Sequence, residues 1–344
     1  MQSLNLIESF YAALKAPSSS GKRSIEQTAQ DFLHKDVRWS AAHPINNLQG
    51  PDQVVEEFLK PIMVALPDME RKPFVAVSDY PGSGVWMEQM DEGFEPSYWI
   101  DGTGYFVGTF ANALFGIPPT GRTLYLRYTE MVKIENQKVV ECYLILDFLD
   151  AMSQAGVNPI RESLGHPGLI MPPTTLDGLQ PKSTSLVESN KSAKLVLDML
   201  DCLGRYDGTD LLSMDLENYW HPDFVWYGPG GIGTTRGIDG FRNHHQGPFL
   251  KGFPDRSVDT KVNIIASGNY VATGGWPHMS ATHTGADWLG LAPGGKELSL
   301  RVMDIWRREG DLLKENWVGI DIIDMLMQMG LDVFTEMEKL QRAA

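Results

Sequence analysis

Apolar and polar positions along the chain follow two periods. Leu4, Ile7, Phe10, Tyr11 and Leu14 recur at helical spacing, and LVLDML further along predicts a counterpart helix. SIEQTAQDFLH and TDLLSMDLENYWH predict second helices. Val54, Phe58 and Ile62, and again Phe241, His245 and Phe249, stand at i, i+4, i+8, one face of a third helix. Strand-like runs follow: PFVAVSDY, GVWMEQM and YLRYTEMVKI, then KVNIIAS, YVATGGW and LSLRVMDIW. ENQK and EGDL read as tight turns into VVECYLIL and LLKENWVGI. Helical patterns return at DFLDAMSQ and DIIDMLMQMG. Helices followed by hairpin-linked strands predict an α+β fold with an antiparallel sheet.

The pattern occurs twice. Residues 116–156 align without a gap on 290–330: Gly116 meets Gly290, Arg127 meets Arg301, Glu141 meets Glu315 and Asp147 meets Asp321. Upstream, His34 meets His221, Trp39 meets Trp226 and Pro67-Asp68 meets Pro254-Asp255. Coincidences in one order over this length predict a duplicated domain of about 150 residues. The Pro-, Ser- and Gly-rich stretch between the copies has no period and predicts a surface linker. The expected division is 1–159, a linker at 160–190, and 191–344. GPGGIGTTRG joins a strand to the third helix and reads as an access loop.

Strand alternation supplies the sharpest chemical signal. In ELSLRVMDIWRR one face carries Leu298, Leu300, Val302, Asp304 and Trp306. Asp304 is thus a carboxylate on an apolar face, and Glu130 stands at the matching place among Leu124, Leu126, Tyr128, Val132 and Ile134. Burial disfavours the charged form, which raises the pKa and suits the group to proton transfer near neutrality. The same pattern also fits a buried acid merely satisfied by an ion pair.

Composition narrows the rest. Hydrophobic residues are 42% and charged residues 21% of 344, enough to bury real cores. A formal charge of −15 argues against nucleic acid and anionic membrane as partners. No apolar run is long enough for a transmembrane helix, and the N-terminus lacks a basic region before an apolar run. Cys142 and Cys202 form neither a metal spacing nor a disulfide framework, which suits the cytoplasm. No phosphate loop, dinucleotide fingerprint, nucleophile elbow or metal-binding motif is present.

The segment ATHTGADWLGLAPGGKELSLRVMDIWRREGDLLKENWVGID resembles the SnoaL-like polyketide cyclases of the nuclear transport factor two-like superfamily. Thr282-His283-Thr284-Gly285, Gly290, Gly295-Lys296, Asp304, Glu315, Trp317, Asp321 and Gln328-Gly330 carry the likeness, and the first copy carries a weaker one. The resemblance implies two tandem cone-shaped α+β barrels, each a curved antiparallel sheet wrapped around helices with an internal pocket. It implies a general acid/base at Asp304, no metal or organic cofactor, and an aldol-type cyclisation or isomerisation of a small apolar or aromatic carbonyl compound. A hydrolase or dehydratase on the same fold, or a small-molecule binding protein without turnover, remain the alternatives.

Around the acid, His283 reads either as a catalytic partner at the pocket rim or as a loop histidine bonded to backbone. His245, where the first copy has Phe58, reads as a polar group facing a cavity or as a core histidine. Trp226, Trp288, Trp306 and Trp317 are candidate stacking surfaces for a flat substrate, or core fillers. The first-copy equivalents are Glu130, Thr109, Trp39 and Tyr143. These departures predict that the second copy is the active one. The family commonly pairs through its sheets, so an internal pseudo-dimer is expected, with room for a further homodimer.

Overall fold

The computed structural model describes residues 2–15, 24–78, 97–179, 185–258 and 263–343. The expected strand at GVWMEQM and linker residues 180–184 lie outside the described residues. The first half opens with α1 (Gln2–Lys15) and α2 (Ile25–Phe32), the latter capped by Ser24 accepting from the Gln27 N–H. After β1 (Leu33–Ala41) and β2 (Asn47–Gln49) comes one helix in three pieces: α3 (Gly50–Gln53), a π-helical turn (Val54–Leu59) and α4 (Lys60–Ala65). β3 (Glu70–Ser78), β4 (Ser97–Thr109), β5 (Thr123–Glu135), β6 (Lys138–Leu146) and α5 (Phe148–Gln154) complete it.

The second half repeats the order. It runs through α6 (Leu186–Leu203), two 3-10 turns, β7 (Trp220–Tyr227) and β8 (Thr235–Arg236). Its third helix is again split, into α7 (Gly237–Phe241), a π-helical turn (Arg242–Gln246) and α8 (Gly247–Gly252). Then follow β9 (Ser257–Val258), β10 (Asn263–Ser267), β11 (Tyr270–Thr282), β12 (Glu297–Glu309), β13 (Leu312–Ile320), α9 (Ile322–Met329) and α10 (Val333–Ala343).

The π turns have a local cause. Pro61 and Pro248 sit at equivalent places and cannot donate a backbone N–H to the residue four back. The preceding amides of Lys60 and Gly247 reach five residues back, to Val55 and Arg242.

The sheets run β2-β1-β6-β5-β4-β3 and β10-β11-β12-β13-β7-β8, with β9 on β11. Both are α+β and mixed: the ladders β1–β6 and β7–β13 are parallel, the others antiparallel. The first strand of each half is joined to the last only through a helix and the intervening strands, so it arrives beside it in the same direction. The expected hairpins are present, and Asn136 and Gln137 both take positive φ, 48° and 61°, in the first.

One face of each sheet covers its own helices. The other faces meet across a cluster of Val75, Trp99, Tyr105, Met131 and Ile145 with Tyr227, Ile265, Ala272, Met303 and Trp317. The approach is close: a Cβ on Gly319 would lie 2.7 Å from the Thr129 side chain. Arg127 is buried there and donates to the carbonyls of Tyr227, Gly228 and Val318 at 3.0, 2.8 and 2.7 Å. Its twin Arg301 stays in its own half, on Asp321 at 3.0 Å and Asp324 at 3.3 Å.

Candidate active site

β12 keeps the alternation read from its sequence. Leu300, Val302, Asp304 and Trp306 all line one cavity of about 780 Å³ inside the second half. α6 contributes Met199, Leu200 and Leu203, β7 contributes Trp220 and Trp226, and the third helix contributes Phe241, His245 and Phe249. Asn316, Val318 and Ile320 come from β13, and Thr273 and His278 from β11. The volume suits a drug-sized organic ligand.

Asp304 is enclosed by protein yet keeps some accessible surface, and that surface is the cavity's. Burial pushes its carboxyl up to about 7, against which one hydrogen bond acts, from Asn316 Nδ2 to Oδ1 at 3.2 Å. The same Nδ2 donates to the Ile305 carbonyl at 3.2 Å, so the amide is held from two sides. Among the described residues no cation pairs with Asp304. Thr273, directly across the ladder from it, has a buried hydroxyl without a partner.

His245 stacks on Trp226, centroids 4.0 Å apart and planes at 16°, with Phe249 behind it at 5.9 Å. Desolvation lowers its imidazole to about 3, so the ring is neutral. Trp288 and Trp306 also line the cavity.

Two expected site residues lie elsewhere. Trp317 points to the opposite face of β13, stacks on Tyr227 at 5.6 Å and donates Nε1–H to the Met171 carbonyl at 2.8 Å. It belongs to the contact between the halves, because its neighbours Asn316 and Val318 take the cavity face. Tyr143, its first-half match, is likewise at that contact, stacked on Trp276 at 5.7 Å. His283 is buried against Phe253, centroids 5.0 Å apart, and its Nε2 meets the Ala286 carbonyl at 3.0 Å; it does not line the cavity. Its twin is the buried Phe110: Phe110 N bonds Arg122 O as His283 N bonds Lys296 O. Thr109 therefore matches Thr282, and both backbone amides donate to an aspartate, Asp68 at 2.6 Å and Asp255 at 2.7 Å.

The first half places an ion pair and aromatic rings around its equivalent acid. Glu130 is buried and ion-paired with Arg71, whose guanidinium lies 4.5 Å from the Tyr128 ring and 5.0 Å from the Tyr11 ring. Trp39 packs on Phe58 at 5.4 Å, as Trp226 does on His245.

Asn316, Thr273 and His278 were missed by sequence reasoning. Asn316 was within reach, since it shares the apolar face of β13 with Val318 and Ile320. His278 was not: register shifts between Gly275 and Met279, and this bulge re-aims the side chain.

A smaller cavity, about 350 Å³, lies where the linker meets both halves, lined by Tyr105, Arg127, Asp147, Asp150 and the 228–231 loop. Within it Asp147 accepts from the amides of Asp150 and Gly230, Asp150 accepts from Gln154, and Arg127 is spent on carbonyls. The larger cavity is the candidate active site. Among the described residues no group of three or more His, Cys, Asp or Glu is placed to hold a metal ion, and no helix is long and apolar enough to cross a membrane.

Residues 206–329, about a third of the chain, match the family model for SnoaL-like polyketide cyclase, so the resemblance read in the second repeat stands. A search of curated proteins returns no match. Solved structures that resemble the chain include AclR, a putative hydroxylase from Streptomyces galilaeus, 23% identical, covering 40% of this chain and 86% of its own with a TM-score of 0.33. IdmH, a putative polyketide cyclase from Streptomyces antibioticus, is 22% identical, covering 41% of this chain and 99% of its own with a TM-score of 0.32. A putative SnoaL-like polyketide cyclase from Shewanella denitrificans is 16% identical, covering 40% of this chain and 96% of its own with a TM-score of 0.33.

Proposed function

We propose that the chain is a cofactor-independent acid/base enzyme that cyclises or isomerises a small, flat, polyketide-like carbonyl compound in the cavity of its second half. The observation that carries this is Asp304: one carboxyl, raised to about 7 and unpaired by any cation among the described residues, facing an aromatic-lined cavity of about 780 Å³. At neutral pH such a group is present both as base and as acid. As carboxylate it takes a proton from carbon next to a carbonyl, leaving an enolate. The enolate carbon bonds to a second carbonyl carbon, whose π electrons move to oxygen. Asp304 returns the proton to that alkoxide, so no atom or electron is gained or lost. Trp226, Trp288 and Trp306 supply flat apolar surface for the substrate.

Water activation, as in a hydrolase or dehydratase, calls for several polar groups holding water on the acid. Asn316 alone hydrogen-bonds Asp304 among the described residues, which favours carbon acid chemistry. The match at 206–329 agrees. We further propose the domain division 1–159, 160–190 and 191–344, an internal pseudo-dimer supported by the shared apolar cluster, and a cytoplasmic location that suits two free cysteines.

The test is a thermal-shift screen against aromatic and polyketide-like carbonyl compounds, followed by turnover of the hits. Stabilisation by such compounds, and turnover lost in Asp304→Asn, is the expected result. Turnover by Asp304→Asn at the full rate would sink the proposal.

A further inference from the structure

We propose that His245 is a second catalytic residue of this site, whose Nε2–H holds the oxygen of the carbonyl under attack and stabilises the alkoxide formed there. This rests on the acid/base reading of Asp304.

The placement comes from the sheet. Trp306, Asn316 and Trp226 form one row across β12, β13 and β7. Asn316, in the middle of that row, bonds Asp304, which stands two residues before Trp306 on β12, and Trp226 at the far end carries the stacked His245 ring. At about 4.8 Å between strands, the strands bearing acid and tryptophan lie about 10 Å apart. The Asp304 and His245 side chains reach into the same cavity from these two ends. A substrate lying between them presents its acidic C–H to Asp304 and the oxygen of the carbonyl under attack to His245.

The ring is built for a hydrogen bond and not for charge. It lies among Trp226, Phe241 and Phe249, and Nδ1 is buried without a partner. The half-buried ring is therefore accessible along its Nε2 edge. A neutral imidazole has one N–H. Placing it on Nε2 leaves only a lone pair, not a donor, unpaired on the buried side. The acidic and basic side chains lining the two voids beside the ring are Asp304, Asp207, Arg256 and His278 in the main cavity, and Arg161 and His244 in a small adjoining void. Burial holds the imidazole near 3, so it donates without becoming a competing acid. The first half, whose acid is ion-paired, has Phe58 at this place.

The experiment compares two probes, 1,4-dibenzoylbutane, an aromatic 1,6-diketone whose second carbonyl stands well away from the acidic C–H, and 1,6-diphenylhexan-1-one, which lacks that second carbonyl. Wild type is expected to bind the diketone at least tenfold more tightly, measured by fluorescence or calorimetry. His245→Phe, which copies the first half and should keep the fold and melting temperature, is expected to lose that preference while keeping its affinity for the monoketone. His245→Gln, a neutral donor, should regain part of it. In the free protein, nitrogen NMR should show His245 neutral with its proton on Nε2 at pH 6. An unchanged preference in His245→Phe, or an Nδ1-protonated or charged ring, overturns the assignment of His245 alone. Failure of wild type to bind either ketone overturns the carbonyl reading on which it rests.

Discussion

Asn316 Nδ2 lies 3.2 Å from Asp304 Oδ1, and this is the bond that opposes burial in setting where the acid ionises. A donor to a carboxylate favours the charged form. Asn316→Leu should therefore move the ionisation of Asp304 further up, from about 7 by about one pH unit, the scale of one hydrogen bond to a charged group. Carboxyl carbon NMR, or the acidic limb of a pH–rate profile, reads this directly. No movement, or a downward one, would show that the amide does not act on the acid.

The same raised pKa makes Asp304 a cost to folding at alkaline pH. The folded state holds the proton up to about 7, whereas an unfolded aspartate releases it near 3.8. Between those values the native state binds more protons, so stability falls as pH rises and stays low above 7. Asp304→Asn should raise the melting temperature at pH 8, by a stabilisation of up to about 4 kcal/mol, and change it little at pH 4. Melting curves at the two pH values test it, and a gain larger at pH 4 would contradict the sign.

In the first half the acid is held by a cation. Glu130 and Arg71 are both buried, and burial raises Glu130 while the guanidinium lowers it. Arg71→Met leaves the carboxyl alone in an apolar interior and should cost about 3–5 kcal/mol. Arg71→Met with Glu130→Leu should recover most of that loss, since no buried charge remains. Urea denaturation measures both; equal stability of the single variant and wild type would show that the pair contributes nothing.

How far the site was legible depended on where the backbone keeps its period. β12 alternates without a break from Leu298 to Trp306, so the odd carboxyl at Asp304 was visible from residue types alone. The repeat fixed the order of elements for the same reason. Pairing direction was not visible: nothing in HKDVRW or KVVECY says that β1 and β6 run parallel. His283 was misplaced because the loop after β11 is one residue longer than the loop after β4, so an ungapped match slid it onto Thr109 instead of Phe110. Trp317 falls on the opposite face of β13 from Asn316 and Val318, as the two-residue period of the strand dictates, and so leaves the cavity. His278 depends on the bulge at Trp276-Pro277, where alternation stops being a guide.

The two repeats also predict an unequal division of labour. Asp304 and Glu130 take the same place on β12 and β5, yet Asp304 faces an open cavity and Glu130 faces Arg71. Glu130 is longer by one methylene and its carboxylate is engaged by the buried Arg71 guanidinium instead of being turned to a substrate. A misplacement of about 1 Å alone costs on the order of a hundredfold in rate. With a substrate in hand, Asp304→Asn should abolish turnover, whereas Glu130→Gln should leave the rate per folded molecule nearly intact. Glu130→Gln will still lower stability, because it weakens the partner of a buried guanidinium, so rates must be normalised to folded protein by active-cavity titration. Equal rate losses in the two variants, or a loss only in Glu130→Gln, would place chemistry in the first half and refute the assignment.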